Sequence, residues 1–398
     1  MSQLPFVVVG ASLSGLRAVE VVRRDGFAGP VVLVGAEEHP PYDRPTLSKA
    51  FLDVGEEAAV PYYRTREDLQ QLDVELRLGS PATGLDLAAR ELLLDGGQRL
   101  AYERIVIATG ARARVLPGMQ LEGVHTLRTF EDATKVRQAL NDGARTVVIG
   151  GGFIGAEVAS AARKRGLRVT ILEAAALPLA RALGEQMGAV CATLHAANGT
   201  DLRCGVAVEA IEGDRRVERV RLSDGSSLAA DLVVVGIGAS PATDWLQGSG
   251  LTLDDGVVCD ETLRASEGVY AAGDVARWHN PLLGESMRLE HWTAASEQGT
   301  AAARNALEPA MAQPYGTVPY FWSDWYSDKL QMVGVAGATE VVVVGNADGR
   351  RWIALYRRGD RLVGALALNH PGKIMKYRTM IARGMVWDDA LAFARASS

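Results

Sequence analysis

A glycine-rich turn between two apolar runs constrains this chain more than any other feature. In Val147–Glu173, VVIGGGFIGAEVASAARKRGLRVTILE, the run Val147, Val148, Ile149 meets Gly150-x-Gly152-x-x-Gly155. An amphipathic segment follows, and a second apolar run through Val169, Ile171 and Leu172 ends on Glu173. This order predicts strand, tight turn, helix and second strand, with glycines where a dinucleotide fingerprint requires them. The first glycine permits the turn, the second lets a pyrophosphate approach the backbone, and the third lets helix and strand pack closely. The helix then points its N-terminal N–H groups and positive dipole end at the phosphates. Glu173, 23 positions after Gly150, is placed to accept hydrogen bonds from an adenosine ribose. A lone glycine pattern is weak. The strand, helix, second strand and terminal acid together make this one specific.

Phe6–Val34 repeats the same logic. Phe6–Val9 reads as a strand, Ser14–Arg24 as a helix and Val31–Val34 as a second strand. The turn between them is Gly10-Ala-Ser12-Leu-Ser-Gly15, with Ser12 where the second glycine usually lies. Serine is small, and its hydroxyl could contact phosphate. Glu37 or Glu38 is then the ribose acid, and an ordinary α/β turn is the bland alternative. The chain thus carries two candidate dinucleotide sites.

Composition limits what else it can be. A chain of 398 residues suggests two or three domains. Hydrophobic content of 48% with 23% charged residues is ordinary globular composition, and the formal charge of −6 argues against generic nucleic-acid binding. No apolar run approaches the roughly 18 residues of a membrane span. Met1–Pro5 has no basic leader and runs straight into a strand, so no signal peptide is expected. Cys191, Cys204 and Cys259 fit no zinc, iron–sulfur or C-x-x-C spacing, so no metal site is expected. A reduced, cytoplasmic protein is the simplest expectation.

Between the fingerprints, Pro40–Lys49 begins as a proline-stiffened loop, with a short helix expected from Thr46 to Leu52. Lys49 could neutralise a reduced cofactor, or be a solvated surface lysine. Val74–Leu78, Glu91–Leu94 and Leu100–Tyr102 read as strands, with a hairpin turn at Asp95–Gly97. Ile105–Gly110 and Leu232–Gly238 are buried strands ending in small residues, where the chain leaves one domain and later returns. Val269–Asp274 ends on an acid that could bind a polyol hydroxyl or simply cap a helix. A helix is expected over Ala294–Leu307, capped by Thr293, with its positive end beside His291 and Trp292.

The C-terminal stretch differs in texture. It holds Trp322, Trp325, Trp352 and Trp387, four of the seven tryptophans. Strands are expected at Leu330–Val333, Val341–Val344, Trp352–Tyr356 and Arg361–Ala367, then a helix from Ile374 to Arg383. Residues 301–398 carry 12 Lys/Arg against 8 Asp/Glu, a net +4 on an acidic protein. Such a face suggests an acidic partner, with a plain solvated surface the alternative.

Two dinucleotide sites in one chain are most economically a flavin and the nicotinamide that reduces it, chemistry that needs no nucleophile or metal. At this point the chain resembles the NADH-dependent ferredoxin/rubredoxin reductases that feed oxygenases and cytochromes P450. The matching segments are PPYDRPTLSK, IVIATGARAR, VVIGGGFIGAEVA, VYAAGDVA, EHW and PYFWSDWYSDKLQMVG, which span nearly the whole chain in the family's order. The resemblance implies an α/β, glutathione-reductase-like architecture with two Rossmann-type domains, for FAD and NAD, and a C-terminal α+β domain. It implies an FAD domain over 1–116 and 240–316, an NAD domain over 117–239 and a C-terminal domain over 317–398.

Carried over by position, Gly10, Ser12, Gly15, Glu37, Arg44, Lys49, Thr109, Asp274 and Trp292 are expected to contact FAD. Gly152, Ile154, Glu157 and Glu173 are expected to contact NADH. Ser14, Pro45, Ala108, Gly110, Arg128, Phe153, Gly238, Gly273, Glu290 and His291 complete the expected cofactor-binding set. Lys49 and Glu157, expected in different domains, are to form a buried ion pair, and with Trp322 at the flavin edge they make up the expected catalytic group. Ser12 for glycine and Trp325 for the usual glutamine depart from the family pattern, the latter on a surface expected to face the partner.

Disulfide reductases share both fingerprints but place redox cysteine in the segment equivalent to Asp43–Ser48. This chain has no cysteine before Cys191. The resemblance implies that an iron–sulfur ferredoxin takes the electrons onward to a cytochrome P450 or ring-hydroxylating oxygenase. It also implies a monomer or weak homodimer with no nucleic-acid or membrane partner. The alternatives are an NADH oxidase, or a redox-signalling flavoprotein similar to apoptosis-inducing factor.

Overall fold

The computed structural model describes residues 3–55, 59–141, 143–346 and 349–396. Met1 and Ser2, the start of the stretch read as leaderless, lie outside that range. The chain groups into two compact units, one of 1–43, 60–112 and 240–319, the other of 44–59, 113–239 and 320–398.

In the first unit, β-branched runs with no polar alternation pair into a sheet buried on both faces. Its order is Arg264–Ser266, Val269–Ala271, Arg104–Ile107, Phe6–Val9, Val31–Val34 and Val74–Arg77. All neighbours are parallel except the first two. The fingerprint helix Leu13–Arg24 follows the central strand and turns Leu16, Val19 and Val22, all fully buried, into the core. The long helix Trp292–Leu307 packs beside it through Ala302, Ala303 and Ala306. This helix starts earlier than expected, with His291 rather than Thr293 at its N-cap, because His291 is the last residue with extended backbone (φ −117°, ψ 133°). Glu91–Leu94 and Arg99–Ala101 form a hairpin around Asp95–Gly97, where Gly96 and Gly97 both take positive φ.

The second unit holds a five-stranded, fully parallel sheet. Its order is Asp201–Cys204, Val169–Glu173, Thr146–Ile149, Leu232–Val235 and Val124–His125. The helix Phe153–Lys164 leaves the central strand at the second fingerprint. The same unit contains a five-stranded antiparallel sheet, ordered Tyr320–Trp325, Asp328–Gly334, Arg361–Leu368, Arg351–Arg358 and Glu340–Asn346. Its first strand, FWSDW and its preceding tyrosine, was not among the expected elements. The helix after this sheet runs Pro371–Ala382, earlier than expected, because proline at the first helical position starts it.

The expected helix over Thr46–Leu52 is instead two short 3-10 turns, Arg44–Ser48 and Ala50–Leu52. Lys49, with extended-range φ −117° and ψ −112°, breaks them apart. The segment belongs to the second unit and not to the one that flanks it in sequence. Lys49 and Glu157 therefore share a compact unit.

Candidate functional site

The first fingerprint is built to leave its helix end open. Gly10 has φ +121°, and a Cβ there would lie 2.0 Å from the Ala108 carbonyl oxygen, so only glycine lets the two strand ends approach. Ser12 is the N-cap, yet its side chain makes no cap hydrogen bond. Ser14 Oγ is buried and has no partner. First-turn N–H groups together with an unsatisfied buried hydroxyl suit a pyrophosphate, which supplies acceptors to both. Beyond the second strand, the Glu37 carboxylate accepts a hydrogen bond from Tyr42 Oη at 2.5 Å.

Other expected FAD residues of this unit are fixed by backbone contacts. Thr109 Oγ1 donates to the Ala242 carbonyl at 3.0 Å, and Gly110 takes positive φ. The Gly273 N–H donates to Gln298 Oε1 at 2.8 Å, and the Asp274 carbonyl accepts from Arg288, which also binds Glu290 at 2.9 Å. Trp292 Nε1 donates to Tyr63 Oη at 2.6 Å, and Tyr63 donates to Asp43 Oδ1 at 2.5 Å. Burial and then the Asp43 hydrogen bond push the Tyr63 phenol well above its usual range, so it stays a donor. Burial holds His291 down to about 4, so a neutral imidazole sits at this helix N-terminus. Tyr63 and Gln298 carried no signal in the sequence, and Asp43 was noted only as part of the proline-stiffened loop.

The second fingerprint makes the case for a nucleotide in another way. A Cβ on Gly152 would meet nothing within 4 Å, so packing within the protein does not require glycine there. The open space is what a pyrophosphate against the backbone needs. Glu173 accepts from the N–H groups of Gly151 and Ala175, each at 2.9 Å, which aims its carboxylate at the end of the turn. Ile154 is 42% exposed although it opens an otherwise buried helix. Phe153 packs on Phe321 with ring centroids 4.7 Å apart. Gly238, with positive φ, follows the strand adjoining the fingerprint.

Lys49 and Glu157 meet in this unit. Lys49 Nζ lies 2.9 Å from Glu157 Oε1, and the Glu157 side chain is only 2% exposed. Lys49 also donates to the Pro45 carbonyl at 3.3 Å. Arg44 donates to the Arg128 carbonyl at 2.8 Å, tying the loop to the start of the following helix. Two serines that sequence reasoning passed over complete the arrangement: Ser48 Oγ donates to Glu157 Oε2, and Ser323 Oγ donates to Oε1 at 2.5 Å. Ser323 lies on the strand that carries Trp322, which is half-buried and lies 5.8 Å from the Tyr320 ring. Trp325 does not face a partner: it is 1% exposed and donates from Nε1 to Ser323 Oγ at 2.8 Å. Two-residue alternation along the strand puts Trp325 on the Ser323 side, inside the core.

Cys191, Cys204 and Cys259 are all free, and burial pushes the Cys191 and Cys259 thiols up to about 12. Neither is a thiolate at neutral pH, so neither is a redox nucleophile. Among the described residues, no helix is long and apolar enough to cross a membrane.

The family model for pyridine nucleotide-disulphide oxidoreductases matches residues 4–299, and the reductase C-terminal model matches residues 320–397. The chain belongs to this oxidoreductase family. It is 39% identical to the anthranilate 1,2-dioxygenase system ferredoxin–NAD(+) reductase component of Burkholderia cepacia, over 98% of this chain and 96% of the relative. It is 37% identical to rhodocoxin reductase of Rhodococcus erythropolis, over 96% of this chain and 90% of that one. Among solved structures, it is similar to the covalent putidaredoxin reductase–putidaredoxin complex, with TM-score 0.92 and 33% identity over 96% of this chain and 94% of that chain. The family's cofactors are FAD and NAD(H), and both fingerprints fit them. Despite the family's name, the three cysteines of this chain are all free.

Proposed function

We propose that this chain is an FAD-dependent NADH:ferredoxin oxidoreductase, which passes electrons from NADH through FAD to an iron–sulfur ferredoxin. The ferredoxin in turn supplies a cytochrome P450 or ring-hydroxylating oxygenase. The observation that carries this reading is the occurrence in one chain of two fingerprinted, largely parallel sheets and a buried Lys49–Glu157 pair, with no cysteine before Cys191. The ferredoxin-reductase names of the relatives supply the acceptor.

When bound, FAD supplies the conversion between a two-electron donor and a one-electron acceptor. The protein's part is placement and charge. Gly10, Ser12, Ser14, Gly15 and Glu37 hold the adenine-dinucleotide half of FAD, and Gly152, Ile154 and Glu173 that of NADH. Trp292, fixed by Tyr63, starts a helix whose positive end favours negative charge on a reduced ring. In the second unit Lys49, its ammonium held by Glu157, supplies positive charge that favours a reduced cofactor. Trp322 lies where electrons leave. A cytoplasmic, monomeric or weakly dimeric enzyme belongs to the same proposal.

The test is NADH-driven reduction of ferredoxins encoded near the gene, followed by the loss of cluster absorbance. Rapid reduction of at least one supports the proposal. Oxygen consumption as fast as ferredoxin reduction overturns it in favour of an NADH oxidase.

A further inference from the structure

Glu157 sits on the fingerprint helix with its side chain buried, and a buried carboxylate needs each oxygen satisfied. Oε1 accepts from Lys49, from Ser323 and, more distantly at 3.4 Å, from the Asp324 backbone N–H, while Oε2 accepts from Ser48. The proton on Ser323 has its direction set from behind. Trp325 Nε1 donates to that hydroxyl, so the hydroxyl's own hydrogen is committed to Glu157. Trp325 is itself held in place by His195, whose ring stacks on it at 5.0 Å and 26°. His195 is further tied through Nδ1 to Tyr326 Oη at 2.7 Å, and Tyr326 donates to Thr200. Ser48 is 3% exposed and Ser323 is fully buried, so solvent does not compete for either bond.

We propose that Ser48 and Ser323 are positioning residues that clamp the Glu157 carboxylate as the fixed acceptor for Lys49. The proposal deepens the reductase reading and rests on it for its kinetic consequence. An ion pair held by one contact lets the ammonium swing toward water. A carboxylate bound at both oxygens gives the ammonium a single place to sit. Because Ser323 and Trp322 are adjacent on one strand and face opposite sides, the same strand sets both the clamp and the exit residue. The FWSDW motif then has a use for each inward residue, including the tryptophan that replaces the family's glutamine.

The experiment compares the flavin-loaded wild type with Ser323→Ala, Ser323→Cys and Ser48→Ala. Cysteine is somewhat larger than serine and a weak donor, so it keeps the site filled, where alanine empties it, while weakening the hydrogen bond. Two quantities are read. One is the limiting rate of flavin reduction by NADH in single-turnover absorbance, with the NADH Kd from the same titration. The other is the rate of Lys49 acetylation by acetic anhydride, read by peptide mass spectrometry with FAD bound and after its removal. Loss of one charge-assisted donor should lower the limiting rate about ten-fold in both alanine variants, with the Kd unchanged. Lys49 acetylation should rise several-fold in the same variants, flavin or no flavin. Ser323→Cys should fall with alanine. Cysteine behaving as serine, or Lys49 labelling that does not change, overturns the clamp. Should Ser323→Ala not fold, Ser48→Ala tests the other oxygen alone. If wild type is not reduced by NADH, the reductase reading fails, and the labelling comparison still decides the clamp.

Discussion

Glu173 shows how one carboxylate serves both the fold and the choice of cofactor. Its two oxygens take the N–H groups of Gly151 and Ala175, so the side chain shapes the phosphate turn before any ribose arrives. A 2′-phosphate brought to the same place meets this negative charge, and Ala174–Ala176 offer no arginine to offset it. The ratio of kcat/KM for NADH to that for NADPH should therefore strongly favour NADH. Glu173→Ala combined with Ala174→Arg should move that ratio towards NADPH by about ten-fold or more, while raising the KM for NADH. Lys49 and Glu157 should behave as one unit. Lys49→Ala should slow flavin reduction at least about ten-fold yet leave the flavin-to-protein ratio intact, and adding Glu157→Gln should cost much less than the sum of the single changes. Additive losses in a double-mutant cycle would show that the pair does not act together.

At the scale of elements, the fully buried His195 and the half-buried His291, both neutral, give the fold a pH dependence. Burial holds both His195 and His291 down to about 4, against an ordinary 6.5. Between those values the unfolded chain binds protons that the folded chain does not, so stability rises with pH across the window and is lost as pH falls. For His195 the cause is visible: its Nε2 is buried without a partner, and a proton there would have no acceptor. The melting temperature should drop from about pH 7 to about pH 4.5, and His195→Phe should flatten that slope even if it lowers the midpoint throughout. Both parallel sheets were legible in the sequence, because Val147–Ile149 and Phe6–Val9 are unbroken apolar runs meeting glycine turns. The broken turn at Lys49 was not, since its partners, Glu157 for Lys49 and Arg165 for the Leu52 carbonyl, lie far along the chain. Ser323, Ser48 and Tyr63 were invisible for a similar reason. A serine or tyrosine gains its meaning from a partner far along the chain, and no local pattern records that partner. Trp325 was misread because Trp322 and Trp325, three residues apart on one strand, look alike until alternation assigns one inward.

Over the whole molecule, the positive charge of the C-terminal region is unevenly available. Arg357 is paired with Glu340 at 3.0 Å and lies over Trp387, Arg358 donates to the Gly337 carbonyl, and Arg361 donates to that of Gly384. Arg351, His370 and Lys373 line a cavity of about 270 Å³, and Lys376, one turn along the same helix, lies 5.9 Å from the Phe393 ring centroid. Reversing Arg351 and Lys376 to glutamate should raise the KM for an acidic ferredoxin several-fold while reduction of ferricyanide hardly changes. Added salt should slow ferredoxin reduction by the wild type more than by the variant, and equal salt sensitivity in steady-state assays would place docking elsewhere. The interleaving of the two units has a consequence for how the chain is made. The first unit lacks its strand Val269–Ala271 and its helix Trp292–Leu307 until translation nears residue 319, and the second lacks Ser323 and Trp325 until still later. At roughly 5–20 residues per second, the edge of Arg104–Ile107 stays bare for seconds to tens of seconds on the ribosome, and Glu157 waits for a hydroxyl not yet synthesised. The first unit can close once residue 319 has emerged, whereas the second must wait for residues 320–398, so its Glu157 carboxylate and open sheet are the parts left exposed to aggregation latest in synthesis.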